Sequence, residues 1–115
     1  MNLDIRRKGA SIAASMREYV TDHLTAALDR FVQQIGLVRV HLSDVNGPRG
    51  GVDKQCLIAV QLAGGRTIRA AHTDTRFTAA VHLATDRVAH AVGRALKRRR
   101  ERTGRTRPWE SPPEA

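Results

Sequence analysis

Basic side chains recur at helical spacing in the last third of this chain. Four of them follow one another at intervals of three, four and four positions: Arg87, His90, Arg94 and Arg98. On a helix with about 3.6 residues per turn, this spacing places the four side chains in one row, called here the basic stripe. Lys97 and Arg100 flank it. Clustered cations bind phosphate groups, so the sequence first suggests contact with a nucleic-acid backbone.

A solvated helix surface is the alternative interpretation of the basic stripe. Solvated faces usually mix charges, because opposite charges four residues apart support a helix and like charges oppose it. Acids are few in this segment, where Asp86 precedes the stripe and Glu101 follows it. The imbalance favours nucleic-acid contact over a solvated face.

The histidines and the single cysteine form no catalytic or metal-binding motif. The histidines are His23, His41, His72, His82 and His90. None is spaced as in HExxH, and His82 and His90 are eight positions apart without a carboxylate to join them. Cys56 falls at an inward position of a predicted strand, which indicates a buried thiol. We therefore expect no enzyme, no metal site, no cofactor and no small-molecule substrate.

The composition also indicates a polyanionic partner. The chain has 115 residues, a net charge of +9 and a pI of about 11.4. Such an excess is typical of proteins that bind nucleic acid or an anionic membrane. No apolar run approaches the roughly 20 residues of a membrane span, and the N-terminus lacks a signal-peptide core. One cysteine excludes an intrachain disulfide. We expect a cytoplasmic protein that does not bind membranes.

Alternating and helical hydrophobic patterns predict the elements that carry these residues. Alternation predicts strands over residues 2–7, 37–45, 54–62 and 66–72. Helical periodicity predicts helices over 15–35 and from about Arg76 to about Arg100. For the first helix, Ser15 and Glu18 fit a capping box and Gly36 is the expected stop. Gly104 and Pro108 are expected to end the second helix.

The order β-α-β-β-β-α predicts an α/β fold of the α+β kind. It is a four-stranded mixed sheet with two helices packed on one face. The last three strands should form an antiparallel meander, and the first two can be parallel through a right-handed crossover. The outward sheet positions hold Arg39, His41, Gln61 and Arg69, with no aromatic residue. This disfavours base stacking and favours phosphate and shape recognition of structured RNA.

Three segments resemble the ribosome hibernation-promoting factors, also called ribosome-associated inhibitors and formerly sigma-54 modulation proteins. The segments are "MREYV" (16–20), "VRVHLSDV" (38–45) and "RAAHTDTRFTAAVHLATDRVAHAV" (69–92). The resemblance covers residues 1–102 and implies the same β-α-β-β-β-α fold. It also implies a translation inhibitor that binds 16S rRNA in the mRNA and decoding channel of the 30S subunit and keeps ribosomes idle under stress.

The resemblance carries the rRNA-contacting positions of the second helix onto the basic stripe. Arg17 matches the family's arginine near the start of the first helix. The first helix otherwise differs, since positions that are often Lys or Arg in relatives hold His23, Ala26 and Asp29, and Ala13 replaces a capping Thr. The predicted RNA-binding residues are Arg17, Arg87, His90, Arg94, Lys97, Arg98 and Arg100.

The loop, the tail and the oligomeric state complete the expectations. In the loop 46–55, Arg49 and Lys54 could add a phosphate contact. Residues 103–115 are expected to form a basic, then Pro-rich, disordered tail. Long-form relatives carry a second domain that this chain lacks, so a monomer is expected. A regulator of a sigma factor or another stress protein, and a general double-stranded RNA binder, remain alternative functions.

Overall fold

Four strands and two long helices follow one another in the predicted order. The computed structural model describes residues 1–9, 11–45 and 53–105, and of 101–105 only the backbone. The elements are β1 (Asn2–Arg7), α1 (Ala14–Leu28), a 3-10 helix (Asp29–Gln34), β2 (Ile35–Asp44), β3 (Lys54–Leu62), β4 (Thr67–Asp74) and α2 (Phe77–Arg105). The predicted fold class is confirmed.

The sheet has the strand order β1-β2-β3-β4, so β1 and β4 are its edges. β1 is parallel to β2, and the other two pairs are antiparallel, as predicted. The register aligns Asp4, Arg39, Ala59 and Arg69 in one row across the four strands. Because every second residue points to the same side of a strand, this register decides which side chains share a face.

Both helices cover the same face of the sheet. The inward positions of the strands supply Ile5, Val38, Val40, Leu42, Cys56, Ile58, Val60, Leu62 and Ile68 to the core. The helices supply Val20, Leu24, Leu28, Val81, Ala84, Val88, Val92 and Ala95. The opposite face is exposed at Arg39, His41, Leu57, Gln61 and Arg69. Aliphatic burial on one face is therefore the main stabilising contribution to the fold.

The helices lie side by side and run in the same direction. Near their beginnings, the Tyr19 hydroxyl donates a hydrogen bond to the carbonyl of Thr78 at 3.2 Å. Farther along, Phe31 lies against Gly93, where an added Cβ would come within 3.3 Å of the Phe31 ring. The missing side chain at Gly93 therefore gives the ring room between the helices.

The first helix is shorter than predicted. The helix predicted over 15–35, with Gly36 as its stop, is wrong beyond Leu28. The chain continues as the 3-10 helix, and Ile35 is already the first, buried residue of β2, opposite Leu62. Strand pairing and the burial of Ile35 outweigh the weak helical preference of this segment.

The start of α1 also differs from the predicted capping box. The helix begins at Ala14, and Ala13 is its N-cap residue, with extended backbone angles and no side-chain hydrogen bond. Ser15 thus lies inside the first turn and cannot act as the cap. Because alanine has no side-chain acceptor, Ala13 leaves the first helical N–H groups without the partner that Ser, Thr or Asp would supply.

The second helix follows a short turn and extends past its predicted end. Asp74 accepts the backbone N–H of Thr75 at 2.7 Å, and this hydrogen bond lowers the pKa of the Asp74 carboxyl. The helix then runs through Gly104 to Arg105. Gly104 does not end it, because glycine costs a helix only about 1 kcal/mol. The tail predicted over 103–115 begins inside α2, whose helical backbone extends to Arg105. Residues 106–115 of this tail and residues 46–52 of the loop predicted over 46–55 lie outside the described residues. Within the part that is described, no helix has the length and hydropathy needed to span a membrane.

Leu24→Ala should lower the free energy of unfolding by about 2–5 kcal/mol, because it opens a cavity where α1 meets the sheet. Leu24 is fully buried, whereas Leu83 on α2 is 37% exposed. The matched Leu83→Ala substitution should cost less than about 1 kcal/mol. Urea unfolding monitored by circular dichroism measures both. Equal losses of stability in the two variants would contradict this packing.

Ala13→Ser should stabilise the chain by about 0.5–2 kcal/mol, because it supplies the missing N-cap acceptor at a residue whose backbone already has the capping conformation. Ala14→Ser, one position inside the helix, is the control and should give no gain. The same urea titration compares them. A gain from Ala14→Ser alone would place the helix start elsewhere.

Candidate nucleic-acid interface

The basic stripe lies on the flank of α2 that faces the edge strand β4. Its first member, Arg87, donates a hydrogen bond from Nη1 to the backbone carbonyl of Ala71 in β4 at 3.0 Å. All four members are exposed. The Arg87 hydrogen bond covers a carbonyl of the sheet edge and leaves most of the guanidinium donors available, since arginine has five N–H groups.

A shallow cleft of about 530 Å³ separates this flank from β4. Its lining consists of Arg69, Asp86, Arg87, His90, Ala91 and Arg94. Asp86 is the acidic residue of the cleft, and its Oδ2 lies 3.5 Å from Nε2 of His82, on the neighbouring turn of α2. The cleft is therefore lined by three arginines and one carboxylate. The cleft suits an anionic group better than a cation or an apolar ligand.

Arg69 connects the cleft to the open face of the sheet. In the sheet register, Arg39, Ala59 and Arg69 are successive partners across β2, β3 and β4. Because neighbouring strands are about 4.8 Å apart, Arg39 and Arg69 emerge roughly 10 Å from each other. Both also line a small depression of about 160 Å³ on the open face. The basic surface thus continues from α2 around the sheet edge.

The cations predicted near the C-terminal end of α2 do not line the cleft beside β4. Lys97 and Arg98 are exposed, and Arg98, the last member of the stripe, lies one turn beyond Arg94. Arg100 instead lines a cavity of about 450 Å³ beside the 3-10 helix, together with Arg30 and Phe31. In that cavity the Arg30 guanidinium lies 4.7 Å from the centre of the Phe31 ring. Arg100 therefore does not share the cleft beside β4.

Arg17 lies apart from the basic stripe. It is exposed near the start of α1, two positions before Tyr19, whose hydroxyl reaches α2 at Thr78. Two positions correspond to a rotation of about 200° on a helix, so Arg17 faces away from α2. Arg87 is nine residues beyond Thr78, roughly 14 Å along the axis. An RNA contact at Arg17 stays a prediction, and it would involve a separate surface.

Two candidate residues, Arg39 and Arg69, were missing from the predicted set of RNA-binding residues. Arg39 and Arg69 were placed outward by strand alternation, but the pattern did not show that β4 borders the basic stripe.

Lys54, named above as a possible phosphate contact, is already engaged by two carboxylates. It donates to Asp44 at 2.8 Å and to Asp53 at 3.0 Å. The Asp44 hydrogen bond raises the pKa of Lys54, with a smaller contribution from Asp53. These carboxylates make Lys54 a poor phosphate ligand.

The single cysteine is a core residue, as the strand pattern predicts. Cys56 is fully buried in β3, and desolvation raises the pKa of its thiol to about 12. The thiolate that would act as a nucleophile or metal ligand is therefore disfavoured at neutral pH. Within residues 1–9, 11–45 and 53–100, no group of three or more His, Cys, Asp or Glu side chains is arranged to hold a metal ion.

Comparison with known proteins identifies relatives of the same fold. The family model described as "Sigma 54 modulation protein / S30EA ribosomal protein" matches residues 3–103. The N-terminal domain of Protein Y from Thermus thermophilus is similar, with a TM-score of 0.68 and 28% identity over 82% of this chain and 98% of that one.

A ribosomal subunit interface protein from Coxiella burnetii superposes with a TM-score of 0.70 over 84% of this chain and 99% of that one. At 17% identity, this likeness supports the fold alone. No curated protein sequence gives a significant match.

Proposed function

Because the chain belongs to the Sigma 54 modulation protein / S30EA ribosomal protein family, we propose that it is a ribosome-associated factor that keeps ribosomes idle under stress. In this proposal it acts in the cytoplasm as a monomer and by binding, without catalysis. Its partner is the 30S subunit, where it occupies the mRNA and decoding channel and contacts 16S rRNA. The single observation that carries the proposal is the basic flank of α2 beside β4.

The geometry of this flank supports recognition of structured RNA through its backbone. Arg69, Arg87 and Arg94 line one cleft, so their guanidinium groups can bind neighbouring phosphates. The exposed sheet residues near it are Arg39, Gln61 and Arg69, which offer hydrogen-bond donors rather than rings for base stacking. Phosphate contacts position a protein on RNA but carry little sequence information. Specificity for the ribosome would then come from the shape of the channel.

Reversing the charge of the stripe tests the proposal directly. The triple variant Arg87→Glu, Arg94→Glu and Arg98→Glu should abolish co-sedimentation with 30S subunits, because each change replaces attraction to a phosphate by repulsion. The native chain should bind more weakly as salt rises, since RNA binding releases counterions. Substituting Gln for the same three residues removes their charge. The slope of the logarithm of the binding constant against the logarithm of the salt concentration should then become shallower by about one for each phosphate that the chain no longer neutralises.

A control of equal charge separates local binding from net charge. Arg6, Lys8 and Arg76 are also exposed, and none of them lines the cleft. Their triple substitution by Glu changes the net charge by the same amount and should leave most of the binding intact. Equally weak binding by both variants would mean that net charge alone governs association. Salt-insensitive binding by the native chain would contradict the electrostatic mechanism.

A competition experiment and an RNase treatment distinguish the two alternative functions. Arbitrary duplex RNA in excess should not displace the chain from 30S subunits, whereas a general double-stranded RNA binder would be displaced. Treatment of a cell extract with RNase should release the partners of the chain. Partners that survive RNase would favour a regulator of a sigma factor or of another stress protein.

Truncation after Arg100 should reduce 30S affinity only in part. It removes Glu101–Ala115, with three arginines and three glutamates, but retains every predicted RNA-binding residue. The remaining cations should keep measurable binding at low salt, because each neutralised phosphate contributes separately to counterion release. Binding curves for the full chain and the truncated chain at several salt concentrations provide the comparison. Complete loss of binding on truncation would place the site in the C-terminal segment instead of the α2 flank.

A further inference from the structure

Two histidines from different helices face each other across the groove between α1 and α2. Nε2 of His23 and Nδ1 of His82 share a hydrogen bond of 3.1 Å, and the two rings meet edge to face with centroids 5.3 Å apart. The pair is 59 positions apart in the chain, so no spacing motif reveals it. His82 is 54% exposed, which leaves the pair open to solvent.

We propose that His23 and His82 form a site for a divalent transition-metal ion of the zinc class, which would link α1 to α2. Two nitrogen ligands, each about 2.0–2.1 Å from a tetrahedral zinc ion, are roughly 3.3 Å apart. The observed nitrogen separation of 3.1 Å is close to this value. To bind one ion, both imidazoles would turn out of their shared hydrogen bond, and the proton of that bond would move to the other ring nitrogen of its histidine.

A carboxylate beside His82 would support its coordination of a metal ion. The second ring nitrogen of His82, Nε2, lies 3.5 Å from Oδ2 of Asp86. A carboxylate near the second ring nitrogen is the usual outer-sphere arrangement of metal-bound histidine. With its proton on Nε2, His82 would offer Nδ1 to a metal ion once the hydrogen bond to His23 is broken. Asp86 therefore acts as a positioning residue for His82.

Tyr19 supplies a neighbouring oxygen on the same side of the site. Its hydroxyl is 3.4 Å from Nε2 of His23, and its ring is stacked at a tilt over the His23 ring, with 4.4 Å between centroids. Because the Tyr19 hydroxyl also reaches the Thr78 carbonyl, it is fixed relative to both helices. It can accept a hydrogen bond from a water molecule on the metal ion.

The site would be an open one. Among the described side chains, no third His, Cys, Asp or Glu completes the cluster. An ion held by two imidazoles keeps its other positions for water or for an anionic oxygen, as catalytic zinc sites keep one such position. Bound metal would therefore tie the helices together and present exchangeable positions at the protein surface. This inference does not depend on ribosome binding.

Titration of the tag-free chain with ZnCl₂ in a non-chelating buffer tests the site. Calorimetry should show one ion per chain, and Co²⁺ should give the visible absorption of a low-symmetry site. His23→Gln and His82→Gln should each abolish this binding, since one imidazole remains. Asp86→Asn should weaken it about tenfold or more, because the outer-sphere carboxylate is removed.

His41→Gln is the matched control, because His41 is exposed on the opposite face of the sheet. It should leave the affinity unchanged, and circular dichroism should confirm that every variant is folded. Absence of binding at millimolar metal would overturn the proposal. Stoichiometric binding that persists in both His23→Gln and His82→Gln would also overturn it, because the ion would then be held elsewhere.

Discussion

Burial of a single sheet face beneath two helices is the constraint on which the rest of this structure depends. The strands are apolar at every second position only, so each has one side to bury and one that remains in water. Both helices must then lie on the same side, where Leu24 and Val88 are fully buried. This arrangement fixes α2 above β3 and β4 and brings its basic flank to the sheet edge. The candidate interface is thus a consequence of how the core is covered.

The basic flank of α2 stabilises the edge strand β4 through Arg87, although the like charges of the flank disfavour the helix itself. An isolated helix with like charges at positions i and i+4, such as Arg94 and Arg98, is destabilised by about 0.2–0.5 kcal/mol per pair. Tertiary packing of the apolar stripe compensates for this cost. Arg87 in turn satisfies the Ala71 carbonyl of the edge strand. The concentration of positive charge is therefore tolerated because the helix is held by its opposite face.

The sequence allowed prediction of features that depend on local periodicity. Alternation placed Cys56 inside and Arg69 outside, and helical spacing put Arg87 and Arg94 on one side of α2. Features that depend on tertiary pairing could not be predicted. The change from α1 to the 3-10 helix follows from the pairing and burial of Ile35 in β2, although Ile35 also fits the helical periodicity of the segment 15–35. The His23–His82 pair likewise requires knowing how the two helices are placed side by side.

The two helices differ in the way they can contribute to RNA recognition. Along the groove, α1 presents Tyr19 and His23, which are already engaged with α2 through Thr78 and His82. In the proposed RNA-binding role, the groove side of α1 would contribute little electrostatic attraction, and most of it would come from the α2 flank and from Arg69. At physiological ionic strength charges are screened over about 8 Å, so cations roughly 10 Å apart act together only on a polyanion that touches both. If this surface binds RNA as proposed, the short screening length favours a close fit along the sheet edge over attraction by net charge alone.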